Sequence, residues 1–210
     1  MSAAPAYGPG PKVAGILLAA GRSSRMAPRN KLLETIDGTP IVRRVAITAL
    51  ASGVRPLIAV TGFDAARVAD ALNGLELTIV HNPAYAEGLS TSLRAGLRAL
   101  PRACDGALVC LGDMPAIENG DMQILIAAFA ARGCAGIYVP VRHGRRGNPV
   151  LFGAAFFSEM MGLAGDIGAK QLLLRHRDRV TEVEIASDGI FADIDAAPDL
   201  ARLKKLRSKS

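Results

Sequence analysis

At 210 residues, 50% hydrophobic and 21% charged, the chain has the balance of a globular protein rather than a disordered one, with length for one sizeable core. Its net charge of +6 and pI of about 9.6 suit an anionic partner: a nucleic acid, an acidic membrane surface or a small polyanion. Aromatic residues make up only 4%, with no Trp, which argues against the stacking platforms of single-strand nucleic-acid binders; the positive charge is dispersed except for "RHGRR" (142–146), "RHRDR" (175–179) and the tail "RLKKLRSK" (202–209).

The leader "MSAAPAYGPGPK" carries Pro and Gly without an apolar stretch, so residues 1–11 read as a disordered arm and not as a signal peptide. No repeat or composition break divides residues 12–207, which read as one domain. From Val13 onward, short β-rich runs alternate with helical patterns, the signature of βαβ units around a mostly parallel sheet. "VAGILLA" (13–19) is the first strand, and "PIVRRVAITALASG" (40–53) a helix opened by Pro and closed by Gly. "RPLIAV" (55–60) precedes the helix "FDAARVADALNG" (63–74), with Asp64 as the expected N-cap and Gly74 as the stop.

"LELTIV" (75–80) with "LSTSLRAGLRAL" (89–100), and "GALVCL" (106–111) with "NGDMQILIAAFAARG" (119–133), repeat the strand–helix pair, and "AGIYVP" (135–140) adds a further strand. Several of these strands are unbroken apolar runs, as expected where helices cover both faces. After residue 140 the alternation loosens. "NPVLF" (148–152) reads as a strand, "GAAFFSEMMGL" (153–163) and "GAKQLLLRH" (168–176) as short helices, "VTEVEI" (180–185) as a late edge strand and "PDLARLKKL" (198–206) as a closing helix.

Cys104, Cys110 and Cys134 are an odd set without CxxC spacing, distant in sequence from His81, His143 and His176. They suggest neither a zinc site nor a disulfide framework, but reduced thiols of a cytoplasmic protein. No apolar run approaches the roughly 18 residues that span a membrane.

The chemistry concentrates where the first strand ends. In "LLAAGRSSRMAPRNKLL" (17–33) a buried run empties into a loop of glycine, serines, arginines and Lys31. Ligands of open α/β sheets sit beyond the carboxyl ends of the strands. Gly21 frees the backbone to turn N–H groups toward an anion, Arg25 can fork onto phosphate oxygens, and Lys31 supplies a mobile point charge. Neither G-x-x-x-x-G-K-[ST] nor G-x-G-x-x-G is present, so residue types alone also allow a polar surface loop. Likewise Asp113 in "LGDMP", at a strand's carboxyl end, reads as a helix cap or turn former, Ser90 or Ser92 in "EGLSTSLRAGL" as an N-cap, and "RRGNPV" (145–150) as an exposed basic turn.

Residues 17–33 resemble the signature of nucleotidyltransferases that hand a nucleoside monophosphate to a phosphorylated acceptor, through Leu18, Ala19, Ala20, Gly21, Ser23, Arg25, Met26 and Lys31, with Ala27 where that family usually has Gly. "NPAYAEGLSTSLRAGL" (82–97), "LGDMPAI" (111–117), "RRGNPVLF" (145–152), "GDIGAKQLL" (165–173) and "FADIDAAPDL" (191–200) follow in order. Together they are similar to the molybdenum cofactor cytidylyltransferase branch.

The resemblance implies a three-layer, Rossmann-like α/β domain of the nucleotide-diphospho-sugar transferase type. It implies nucleotide contacts at Leu18, Ala19, Ala20, Gly21, Arg25, Lys31, Gly88, Ser92 and Asp113, with Arg25, Lys31 and Asp113 catalytic. Mg²⁺ would sit on Asp113 and Asp195, with Asp193 the near alternative; the family more often has Thr-Pro-Glu after that position, where this chain has Ala196, Ala197 and Pro198. The acceptor would meet Arg146, Asn148, Asp166 and Lys170.

By the same resemblance Ala20 implies CTP over GTP, with molybdenum-loaded molybdopterin as acceptor and an apoenzyme of the xanthine dehydrogenase type as transient partner of a monomer, without nucleic acid or membrane. The same pattern allows GTP or another small phosphorylated acceptor, and, from another class, a non-catalytic molybdopterin-binding chaperone.

Overall fold

The computed structural model describes residues 10–23, 29–165, 170–194 and 198–201. The apolar run Val13–Ala19 forms β1, buried along its whole length. A small hairpin, β2 (Thr35–Ile36) and β3 (Thr39–Pro40), leads into α1 (Ile41–Ala51). There follow β4 (Leu57–Thr61), α2 (Ala65–Leu72), β5 (Thr78–His81), α3 (Leu89–Arg98), β6 (Gly106–Leu111) and α4 (Asn119–Ala131). The later part supplies β7 (Ile137–Arg142), β8 (Arg145–Arg146), β9 (Val150–Gly153), α5 (Phe157–Met161), α6 (Lys170–Arg175) and β10 (Val180–Glu184).

The sheet runs β10-β7-β9-β6-β1-β4-β5, with β8 paired to β7. All pairings along that path are parallel except those of β9, which lies antiparallel between β6 and β7. Valines, leucines and isoleucines alternate between its two faces. Leu17 and Ala19 pack with Val42 and Val45 of α1, Leu72 of α2 and Leu125 of α4, whereas Ile16 and Leu18 pack with Leu93 of α3, Met160 of α5 and Leu172 of α6. The result is the expected three-layer arrangement.

Two local expectations are corrected. β5 begins at Thr78, not residue 75, because Leu75 and Leu77 turn into the core on the α1–α2 side instead of extending the strand. Asp64 stands before α2 but does not cap it: its backbone is left-handed (φ 56°) and its carboxylate pairs with Arg67 at 3.1 Å. Among the described residues no helix is long and apolar enough to cross a membrane.

The chain leaves β1 outward through β4 and β5, then returns to the other side of β1 as β6. That reversal puts the crevice of an open α/β sheet at the carboxyl ends of β1 and β6. The turn Asp188–Phe191 braces this end. The Ile190 carbonyl accepts from the Asn148 N–H at 3.0 Å, and the Ile194 N–H donates to the Asp113 carbonyl at 2.9 Å. A Cβ at Gly189 would overlap the Ala116 carbonyl, so only glycine lets the turn seat there.

Gly189→Ala should therefore destabilise the protein by about 1–3 kcal/mol, the usual cost of overpacking, read from urea midpoints. An unchanged midpoint would mean that the turn does not carry the packing. The thiols make a separate test. Burial raises Cys104 and pushes Cys110 up to about 12, whereas Cys134 is only partly buried. Iodoacetamide at pH 8 should label Cys134 first, and Cys104 and Cys110 only in denaturant, as read by mass spectrometry.

Candidate active site

Past Ala19 the chain bends through Ala20, Gly21, Arg22 and Ser23, and Lys31 opens a one-turn 3-10 segment, Lys31–Leu33. Ser23, with φ of 50°, ties the two ends of the loop together. Its hydroxyl donates to Asn30 Oδ1 and accepts from the Lys31 N–H, both at 3.2 Å. Asn30 Oδ1 also accepts from the Leu32 N–H at 3.1 Å, which caps the turn. Residues 24–28, and with them Arg25, lie outside the described residues.

Across the crevice, β6 ends in Gly112 and Asp113. The Gly112 N–H donates to the Leu18 carbonyl at 3.0 Å, and a Cβ there would stand 2.9 Å from the same oxygen. Glycine thus lets the two strand ends close together. In consequence Lys31 Nζ reaches Asp113 Oδ2 at 2.6 Å, with the two side chains 13% and 21% exposed.

The third wall is the start of α3. Gly88 occupies the cap position with φ of 116°, and no side chain caps the helix. Ser90 and Ser92, expected as caps, instead lie buried within the first turn. Asn82, itself buried, donates through Nδ2 to Thr91 Oγ1 at 2.8 Å and Ser92 Oγ at 3.0 Å, and accepts from the Ala84 N–H. The Thr91 and Ser92 hydroxyls are taken up in organising the Asn82–Leu89 loop, whereas the buried Ser90 hydroxyl has no hydrogen-bond partner. Asn82 had no assigned role in the sequence; an Asn-Pro before a Gly-Leu-Ser turn was the available signal.

These three walls enclose a cleft of about 560 Å³, lined by Leu18, Ala20, Gly21, Lys31, Gly88, Ser92 and Asp113 among the residues singled out from the sequence, and by Tyr85 and Leu89 in addition. Ala19 does not line it. Its side chain is fully buried on the opposite face, as the period of two requires for the neighbour of Leu18.

The residues assigned to an acceptor are divided. Arg146 and Asn148 line a second cavity of about 400 Å³, which shares Leu18, Leu89 and Leu111 with the first. Asp166 lies outside the described residues, as does the side chain of Lys170, which begins α6. The basic turn is not a free lip. Arg142 pairs with Asp188 and Arg146 with Glu182, each at 2.7 Å, and the Arg145 guanidinium stacks 4.5 Å over Phe191. Asp195 lies outside the described residues, although Ile194 is hydrogen-bonded to Asp113; Asp193 is exposed and lines neither cavity.

Among the described residues no three His, Cys, Asp or Glu side chains gather into a metal cage. The Asp113 carboxylate is nonetheless a hard oxygen donor at the cleft wall, and one carboxylate plus phosphate oxygens is an ordinary Mg²⁺ setting. A loop carrying glycine and lysine thus faces a carboxylate at the carboxyl ends of two parallel strands, a cation and an anion set together at the crevice of an open α/β sheet.

Residues 15–180 match the MobA-like NTP transferase domain, and the chain belongs to that family of nucleotidyltransferases. It is similar to the molybdenum cofactor cytidylyltransferase of Escherichia coli (strain K12), 28% identical over 191 residues that span 90% of this chain and 94% of the relative. It is also similar to the nicotine blue oxidoreductase of Paenarthrobacter nicotinovorans, 27% identical over 198 residues, spanning 92% and 97%. A Mycobacterium tuberculosis H37Rv protein solved in complex with manganese superposes with a TM-score of 0.77 at 26% identity, covering 92% of this chain and 98% of that one.

A divalent cation arriving at Asp113 must compete with the Lys31 ammonium. Lys31→Met should therefore tighten Mn²⁺ binding about 5-fold, the equivalent of an ion pair worth about 1 kcal/mol, whereas Asp113→Ala should abolish it. Electron paramagnetic titration of free Mn²⁺ reads both. Equal affinity in Lys31→Met and wild type would show that ammonium and cation do not share the carboxylate.

Proposed function

We propose that the protein transfers CMP from CTP to the terminal phosphate of molybdenum-loaded molybdopterin, releasing pyrophosphate. The observation that carries this reading is the Lys31–Asp113 pair at 2.6 Å, set across a cleft whose other walls are Gly21 and the Gly88–Ser92 turn. A cation and a carboxylate at one point suit a triphosphate together with its metal.

An acceptor phosphate oxygen attacks the α-phosphorus of CTP, and the bond from that phosphorus to the bridging β-oxygen breaks. The nucleophile needs no general base, because a phosphate monoester with a second pKa of about 6 is already a dianion at neutral pH. Catalysis is then in-line positioning and charge neutralisation. Lys31, leaving Asp113, and Arg25 neutralise the triphosphate and the departing pyrophosphate. Asp113, with Asp195, would hold Mg²⁺, which when bound supplies Lewis-acid neutralisation of phosphate oxygens. Gly88, Ser92 and Ala20 line the same cleft; Gly88 and Ser92 would read the edge of the base, and the Ala20 methyl, where a glycine would leave more space, would limit the pocket to cytosine. The domain comprises residues 12–207, works as a cytoplasmic monomer, and passes its product to an apoenzyme of the xanthine dehydrogenase type.

Pyrophosphate release measured with molybdenum-loaded molybdopterin, Mg²⁺ and each of CTP, GTP, ATP and UTP tests the reading. Strong release with CTP alone is expected, falling on the order of 10²-fold or more in Asp113→Ala and Lys31→Ala. Release with GTP alone would overturn the role given to Ala20. No release with any nucleotide would overturn the acceptor or the transfer itself.

A further inference from the structure

Asn82, Thr91 and Ser92 form a buried polar cluster at the start of α3, and of the three it is Ser92 that lines the cleft. The directions of its hydrogen bonds follow from groups that can play only one role. The Ala84 N–H can only donate, and it meets the Asn82 side chain at 3.1 Å. The atom it meets is therefore the carbonyl oxygen Oδ1, and the amide nitrogen Nδ2 faces the hydroxyls. Nδ2 has two protons to give and no lone pair to accept with. One proton goes to Thr91 Oγ1 at 2.8 Å and the other to Ser92 Oγ at 3.0 Å. Thr91 gives the same sense independently: its own proton lies between the Ala84 and Gly88 carbonyls, each 2.9 Å away, so toward Asn82 its oxygen accepts.

The Ser92 oxygen likewise accepts from Asn82, which leaves the Ser92 proton to be placed. Among the described residues no group takes it. The carbonyl one turn back, to which a helical serine commonly bonds, is that of Gly88, and it already accepts from the Thr91 N–H and hydroxyl. A buried donor without an acceptor is unfavourable, and this one stands in the cleft wall.

We infer that Asn82 is a positioning residue that fixes Ser92 as a hydrogen-bond donor to the cleft, so that the ligand must bring an acceptor atom to that point. A serine hydroxyl can serve in either sense, and the amide behind it selects one. On cytosine the acceptors are O2 and N3, whereas the exocyclic amino group is a donor. Ser92 therefore reads the O2–N3 side of the base and not the amino group. That the acceptor atom belongs to a base rests on the transfer reading above; the sense of the relay rests on the protein's own bonds.

The test is calorimetric titration of the full chain, with Mg²⁺, against CTP, the triphosphate of pyrimidin-2-one riboside and tripolyphosphate. The second probe keeps O2 and N3 but lacks the amino group, and the third lacks a base. Ser92→Ala should weaken CTP and the pyrimidinone nucleotide alike, about 10-fold each, and leave tripolyphosphate unchanged. Asn82→Asp keeps an acceptor for the Ala84 N–H, but its carboxylate draws the Ser92 proton away from the cleft. It should lower the affinity for CTP relative to tripolyphosphate about 10-fold, the comparison removing the effect of the added charge. In a Ser92→Ala background the same change should leave that ratio where Ser92→Ala alone puts it. Urea midpoints of the variants read any loss of folding separately.

A loss in Ser92→Ala confined to CTP would set Ser92 against the amino group and overturn the donor sense. A fall in the ratio that persists in the Ser92→Ala background would make Asn82 a brace of the loop and overturn its action through Ser92. Unchanged affinities in Ser92→Ala overturn the relay altogether. Binding of GTP in place of CTP that obeys the variants keeps the relay, since guanine also offers acceptors, and overturns the choice of base. Binding that obeys the variants with no pyrophosphate released from any nucleotide keeps the relay and overturns the transfer.

Discussion

The contact between Lys31 Nζ and Asp113 Oδ2, at 2.6 Å, is possible only because two strand ends distant in sequence stop at the same level of the sheet. Leu18 stands beside Leu111 in the parallel β1–β6 ladder, and Gly112 folds its N–H back onto the Leu18 carbonyl. A slip of one residue in that register would move one partner by about 3.3 Å and turn its neighbours to the other face, so the pair and the burial pattern stand or fall together. The apolar core on both faces of β1 is what forbids the slip. Rigidity here belongs to the sheet, and the loop that carries Lys31 borrows it through Ser23 and Asn30.

Net charge is a poor guide to where this protein meets an anion. The excess of +6 is most conspicuous in the turn at residues 142–146, yet its three arginines face Asp188, Phe191 and Glu182. They fasten the β7–β8 hairpin to β10 and to the Asp188–Phe191 turn. Lys31, in contrast, comes from a loop where basic residues are interleaved with serine and proline, and it lies in the cleft wall. A cation matters for chemistry where the fold confines it, and confinement is a property of the sheet ends that a charge count does not register.

That difference also separates what the sequence discloses from what it hides. Strands β1 and β6 were legible to the residue, because an apolar run ending in a glycine-containing turn has few other uses in an alternating α/β pattern. The antiparallel direction of β9 was not, since "NPVLF" has the same composition whichever way it runs. Asp64 and Ser92 failed as caps because short polar side chains have several partners within reach, whereas Ser90 lies inside the first turn, past the cap position that Gly88 occupies. Arg67 took Asp64, and Asn82 took Ser92. The Asp188–Phe191 brace was invisible, because its contacts reach residues 116, 142, 145 and 148, with no local pattern to announce them. Of the residues gathered by motif, Leu18, Ala20, Gly21, Lys31, Gly88, Ser92 and Asp113 do converge on one cleft, and Ala19 is turned away from it.

The brace has a consequence for how the two cavities work together. Within one short segment, the Ile190 carbonyl holds the Asn148 N–H beside the second cavity, and the Ile194 N–H holds the Asp113 carbonyl beside the first. In the proposed transfer the attacking phosphate must arrive in line with the bond that breaks, and positioning is the larger part of what the site has to supply. The main chains of Asn148 and Asp113 are thus both tied to the segment 190–194. Leu18, Leu89 and Leu111, which line both cavities, form the boundary between them. Transfer geometry is then a property of the sheet and one turn, which leaves the loops free to differ in which acceptor they admit.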